Sequence, residues 1–515
     1  MNNLLFWRWW PRPYSWLISF LFVLLIGLIV FSLVLRLWGA EGIIGWSVLS
    51  FQAAFPDVFD VFAIGPFAFE MFAQKLAVEE LFEGAQMPDM SLASLSAMMI
   101  TGACLIIYLA AITYFKRFWY LLGMAVLVLF LIFLHPESVG LLGLTSKTIL
   151  AIFFVIIFIP SYYLHAFIKT TSFLPRLLIS FLSVALIIVL IFFFAEETAP
   201  FRAIYSYGFL APLFLVLVFT ISVSHENLRI FLKITTSNSG SNGRARLRHF
   251  LILSLIYWIT VLFSYLHITN MIDWDIYLDP FLLLALSTIF GFWGLYNRVE
   301  LYEGASDSRP IWSLIYLVLA IVAFSFIAFL HFGLNDPAIR VIGDFIIYAH
   351  VSIGMAFLLY VIYNFMPVIE KGYNAEKVLY SPTNLPYFTY RLIGIIGIIA
   401  LISMRGLDYP VWYSLGGYYN AMADHQRDIG DMNLSRVYFG QSADFAYNNH
   451  KANYNLASLT LEENDVEARE YYLKATRNKP SPQAFVNLSL LQDFDQAYFK
   501  SVFTLQEGLE LSLIH

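Results

Sequence analysis

The sequence predicts an all-α protein: a polytopic transmembrane helix bundle of about 11 spans, N-terminus inside and C-terminus outside, with a separate helical domain over residues 408–515. Three observations predict it. Hydrophobic residues make up 60% of the chain and charged ones only 13%, with a mean hydropathy of +0.72, against about 45–50% apolar and about 25% charged in soluble domains. Apolar runs long enough to cross a hydrocarbon core of about 30 Å, which takes roughly 20 helical residues, recur from residue 15 to residue 406. Beyond Pro410 those runs stop, and Tyr, Ala and Asn enter at helical spacing.

The expected spans lie near 15–38, 92–115, 117–135, 147–168, 173–195, 203–224, 249–269, 277–297, 311–332, 340–366 and 389–406. The first is too long for a cleavable signal and no small-residue cleavage site follows Trp38, so it is expected to stay as an anchor, with WRWWPRP before it as an aromatic and basic interfacial collar. Orientation follows from Lys and Arg, which are retained on the cytoplasmic side. Sixteen of the 22 basic residues in 1–407 fall in alternate loops: Arg8, Arg12, Lys116, Arg117, Lys169, Arg176, Arg229, Lys233, Arg244, Arg246, Arg248, Arg298, Arg309, Lys371, Lys377 and Arg391. The N-terminus is then cytoplasmic, and an odd number of spans puts residues 408–515 on the extracytoplasmic side of a cytoplasmic (inner) membrane.

Two connections stand out. Residues 39–91 are too long for a simple loop and mix apolar residues with Asp57, Asp60, Glu70, Glu79, Glu80 and Glu83, which predicts amphipathic helices lying on the outer leaflet. On the basic side, within 225–248, TTSNSGSNGRARLRH is a Ser/Gly/Asn linker that ends in a basic cluster.

Charge and cysteine content exclude several function classes. Residues 1–407 hold 22 basic and 22 acidic side chains, so the net charge of −6 belongs to 408–515, with 8 and 14. Such a tail gives no electrostatic basis for binding nucleic acid. The single cysteine, Cys104, excludes an intramolecular disulfide and a CxxC metal site, and it sits mid-span without the cation that would lower a catalytic thiol's pKa. No Walker loop, Rossmann glycine fingerprint, HExxH or GxSxG pattern is present, and no cofactor is expected.

In the tail, Ala468, Tyr472, Ala475 and Pro480 stand at offsets of 0, 4, 7 and 12. Upstream, Ala423, Gly430, Ser435, Phe439 and Ser442 follow a small, turn, small, aromatic, small order, and Leu456 and Ala457 come one 34-residue period after Met422 and Ala423. This pattern resembles the tetratricopeptide (TPR) repeat, a 34-residue helix-turn-helix unit. The resemblance covers residues 414–500 and implies an α-solenoid that docks a protein partner. Small residues at these positions let helices approach closely, and Pro ends a helix where no further N–H is needed.

Ionisable groups elsewhere suggest chemistry. Asp273 and Asp275, in the DWD of HITNMIDWDIYLD, form a carboxylate pair able to hold a divalent cation through oxygen ligands. Asp344 and His350 fall inside the tenth apolar run, where ionisable groups are costly and default to functional hypotheses.

The leading expectation is an integral envelope protein that presents the repeat scaffold outside the cell membrane. The alternative rests on a likeness in overall plan to multi-span lipid-phosphate-dependent glycosyltransferases of the GT-C type, which carry carboxylates in a long first outer loop and can carry TPR tails. That likeness implies a polyprenyl-phosphate-linked sugar donor, a divalent cation, and Asp57, Asp60, Asp273 and Asp275 as catalytic candidates. A transporter comes third, without internal duplication to support it.

Overall fold

The computed structural model describes residues 6–168, 170–236, 243–269, 271–272, 277–303, 308–382, 384–461, 463–477, 481–494 and 496–513. In chain order, α1 (Arg12–Ile43) leads into a hairpin of β1 (Gly45–Ile64) and β2 (Phe67–Gln86). Then come α2 (Ser91–Ile112), α3 (Arg117–Leu134), α4 (Ser146–Ala166), α5 (Phe173–Phe194), α6 (Pro200–Tyr207), α7 (Leu210–Val223) and α8 (Glu226–Thr236). They are followed by α9 (Gly243–Ile268), α10 (Pro280–Glu303), α11 (Arg309–Phe332), α12 (Asp336–Glu370), α13 (Ala375–Val378) and α14 (Thr389–Arg405). The remainder is α15 (Asp408–Asp428), α16 (Met432–Phe445), α17 (His450–Thr460), α18 (Asp465–Ala475), α19 (Pro482–Phe494) and α20 (Tyr498–Leu513). Two compact units result, one of the residues up to Leu37 with Asp89–Asn449, the other of Trp38–Pro88 with the residues from His450 onward.

Among the described residues nine helical stretches are long and apolar enough to cross a membrane, and ten if α14 and α15, bent by 84°, count together. The difference from about 11 falls on two runs. In α10 the apolar part, Pro280–Tyr296, is short, because Arg298 brings charge into the helix. The other run, α14, has 17 residues and stops at Gly406, whose φ of 109° no helix continues through.

The first unit is built around α11, which is buried over nearly its whole length and packs on α2, α7 and α10, and around α12, which packs on α9, α14 and α15. An apolar helix with no polar face belongs in such an interior. By contrast α4, α5 and α9 leave most of their apolar surface exposed, as lipid-facing helices do. The N-terminal aromatic collar is partly core: Trp7, with Phe6 just before the collar, is buried against Phe292, while Trp9 is exposed.

In the second unit the hairpin replaces the amphipathic helices expected over residues 39–91. Its strands pair antiparallel from Gly45 opposite Gln86 to Ile64 opposite Phe67. The two-residue turn between them has Gly65 at φ 62°, the conformation that a glycine at the first central position of a type II′ turn adopts without a Cβ clash. Aromatic and β-branched residues suit a pleated surface, and Phe62 stacks on Phe69 across the strands at 5.5 Å. The run of Glu79, Glu80 and Glu83 reads as helical in sequence, yet cross-strand pairing decides the outcome.

Candidate functional site

Of the candidate site and packing residues singled out in sequence, all but three fall within the described residues. Asp273 and Asp275 lie outside the described residues, as does Pro480. Asp57 is a β1 residue opposite Ala73. Asp60 is exposed on the same strand, and its Oδ1 accepts from the Val61 N–H at 2.8 Å. Downstream of the DWD, Asp279 caps α10 by accepting from the Phe281 N–H at 2.8 Å and pairs with Arg36 at 3.1 Å. Among the described residues no three His, Cys, Asp or Glu side chains gather as a cation site.

Asp344 and His350 sit on α12 and are both buried. Arg405 Nη1 donates to Asp344 Oδ2 at 2.7 Å and the Tyr409 hydroxyl donates to the same oxygen at 3.1 Å. The Arg405 guanidinium lies over the Tyr409 ring, 4.3 Å from its centre. A cavity of about 380 Å³ opens beside this group, between Phe345, Tyr348 and Leu415. His350 Nδ1 donates to the Ile346 carbonyl at 2.7 Å, and Nε2 meets Ser287 Oγ of α10 at 2.7 Å. That is the pattern of a neutral imidazole joining two helices.

A third constellation, at the far end of α10 from Asp279, is one that sequence reasoning missed. Between α7 and α8 the chain turns through Ser224 and His225, and Glu226 opens α8, where a carboxylate suits the helix dipole. Glu226 and Arg229, one helical turn apart, form an ion pair with both side chains fully buried. Arg229 also donates from Nη1 to Glu376 Oε1 at 3.0 Å and from Nη2 to the Phe290 carbonyl at 3.0 Å. Arg298 Nη2 reaches Glu226 Oε1 at 2.7 Å, and its Nη1 lies 3.2 Å from His225 Nε2. Lys233 stands 3.7 Å from Glu376. Gly294 makes this possible, since a Cβ there would run into Glu226 Oε2 and the Arg229 guanidinium. One network thus ties α8, α10 and α13 together.

Against it lies a cavity of about 510 Å³ between α3, α10, α11 and the start of α14. Arg298 and Arg391 reach its wall from two different helices, and Trp119, Trp312 and Leu319 supply apolar surface. Arg391 is oriented by the Tyr390 hydroxyl, 3.3 Å from its Nε, and by the Ser222 carbonyl, 3.5 Å from Nη2.

The tail residues pack as follows. In the first unit, Ala423 of α15 and Phe439 of α16 are fully buried, and Ser435 Oγ donates to the Ala423 carbonyl at 2.9 Å. Gly430, at φ 90°, forms the turn between the two helices. In the second unit, Leu456 and Ala457 of α17 and Ala468, Tyr472 and Ala475 of α18 are buried. The Asn487 amide of α19 donates to the hydroxyls of Tyr454 and Tyr472, each at 3.1 Å. Burial pushes the Tyr472 phenol up to about 12, against the opposing pull of the Asn487 bond. Finally α20 packs on α19 through Gly508, where a Cβ would stand 2.8 Å from Phe485 Cβ.

Comparison of the chain with protein-family models, with curated proteins and with solved structures returns no match.

Proposed function

We propose that this is a multi-pass membrane protein whose TPR-like tail presents a docking surface on the extracytoplasmic side, for a partner protein that offers an apolar helix. The observation that carries the proposal is the outer face of α20. Phe499 is 85% exposed, and Val502, Phe503 and Leu509 are also largely exposed. At positions 499, 502, 503 and 509 they form one stripe of the helix, while the opposite face packs on α19. Exposed apolar stripes of this kind mark interaction sites, and stacking another amphipathic helix on the last one is how helical repeats bury their faces. The positive-inside distribution supports the extracytoplasmic placement. The transferase alternative keeps Asp57, Asp60, Asp273 and Asp275 as its candidates, and no described contact favours it.

The test is a photo-cross-linking residue in place of Val502 in intact cells. A discrete adduct that contains a second protein, and that disappears when Phe499→Asp is added, is the expected result. No adduct, or an adduct only between two copies of this chain, contradicts the proposal.

A further inference from the structure

We propose that the cavity between α3, α10, α11 and α14 binds the headgroup of an anionic phospholipid, with Arg298 and Arg391 on the phosphate and Trp119 and Trp312 along the first part of the acyl region. The cavity, about 510 Å³, holds a headgroup and a chain segment. Its two halves differ in chemistry. One wall brings together guanidinium groups from α10 and α14; the rest, Ser222 aside, is apolar and aromatic. Arginine forks match phosphate oxygens two at a time, and tryptophan is favoured where an apolar body meets a polar headgroup.

Both arginines are held in place before any ligand arrives. Arg298 is fixed by Glu226 at 2.7 Å and His225 at 3.2 Å, and Arg391 by Tyr390 and the Ser222 carbonyl. Around Glu226 and Glu376 the cluster assembles Arg229, Lys233 and Arg298, three cationic side chains about two carboxylates, and Arg391 joins Arg298 on the cavity wall. The mouth is formed by Phe118, Leu122 and Phe388, all exposed on the apolar flank of the bundle. A ligand entering there arrives from the bilayer, which selects a lipid over a free anion. A soluble phosphate would gain nothing from the apolar wall.

The test uses the full-length protein in a neutral maltoside detergent, with native mass spectrometry to count bound phosphatidylglycerol and phosphatidylcholine of the same acyl chains supplied equally. Both lipids carry the phosphodiester, but only phosphatidylcholine adds a quaternary ammonium, which the two guanidinium groups repel; the proposal therefore expects a preference for phosphatidylglycerol of about tenfold or more. Arg391→Gln removes a phosphate contact, and Leu122→Trp obstructs the mouth at an exposed position without touching a charge. Each should erase the preference. If Arg391→Gln is not recovered from the membrane, Leu122→Trp decides alone. Equal retention of the two lipids by the unaltered protein, an unchanged preference in either variant, or displacement of phosphatidylglycerol by about 10 mM inorganic phosphate would overturn the proposal.

Discussion

Arg229 joins two glutamates of different chain segments while fully buried, so its loss leaves Glu226 and Glu376 facing each other across an interior with one cation fewer. Removing one partner of a buried ion pair typically costs about 3–5 kcal/mol. Arg229→Ala should therefore lower the unfolding free energy of the detergent-solubilised protein by that amount. Lys233→Ala, whose side chain is 41% exposed and 3.7 Å from Glu376, should cost less than about 1 kcal/mol. Equal effects in a denaturation series would mean that the cluster is not a unit. At this scale the sequence is only half informative. Asp344 stands out as an ionisable group within an apolar run, but its partner Arg405 is 61 residues away and nothing local connects them. Arg229, Lys233, Arg298 and Arg391 read as topology charges. The signal that could have found their cluster is the pair of acids in basic loops, Glu226 and Glu376, with Glu226 at i−3 from Arg229.

Elements with a strong period were legible and elements without one were not. Long apolar runs became helices because a chain in lipid must satisfy its backbone internally. Residues 45–86 have no clean alternation, since apolar residues occupy both faces of each strand, so the hairpin is set by the Gly65 turn and by pairing that no local window contains. The tail lies between these cases: its small residues were readable as helix contacts, and Ala468 and Ala475 are buried in the structure. Ala468→Trp or Ala475→Trp should overfill those contacts at a cost of about 1–3 kcal/mol, seen as faster proteolysis of the tail. Arg477→Ala, at an exposed position, should stay within about 0.5 kcal/mol of the unaltered protein. Similar digestion of all three would show that the helix register is misassigned.

For the whole molecule, composition settles that the chain is a multi-pass membrane protein, and the structure has the helices for it. Loop charges suggest the direction in which those helices run. The scaffold proposal depends on that direction, because α20 must face the extracytoplasmic side to meet its partner. The chain is well suited to a direct test. Its one cysteine, Cys104, is buried in α2, so a newly placed thiol is read against a silent background. Arg477 and Lys377 are both exposed, one in the tail away from the α20 stripe and the other in α13 among the basic loops. The measurement is labelling of Arg477→Cys and Lys377→Cys by a membrane-impermeant maleimide in intact spheroplasts. The account predicts that Arg477→Cys labels at once and Lys377→Cys only after lysis; labelling of Lys377→Cys in intact spheroplasts, with Arg477→Cys protected until lysis, would contradict it.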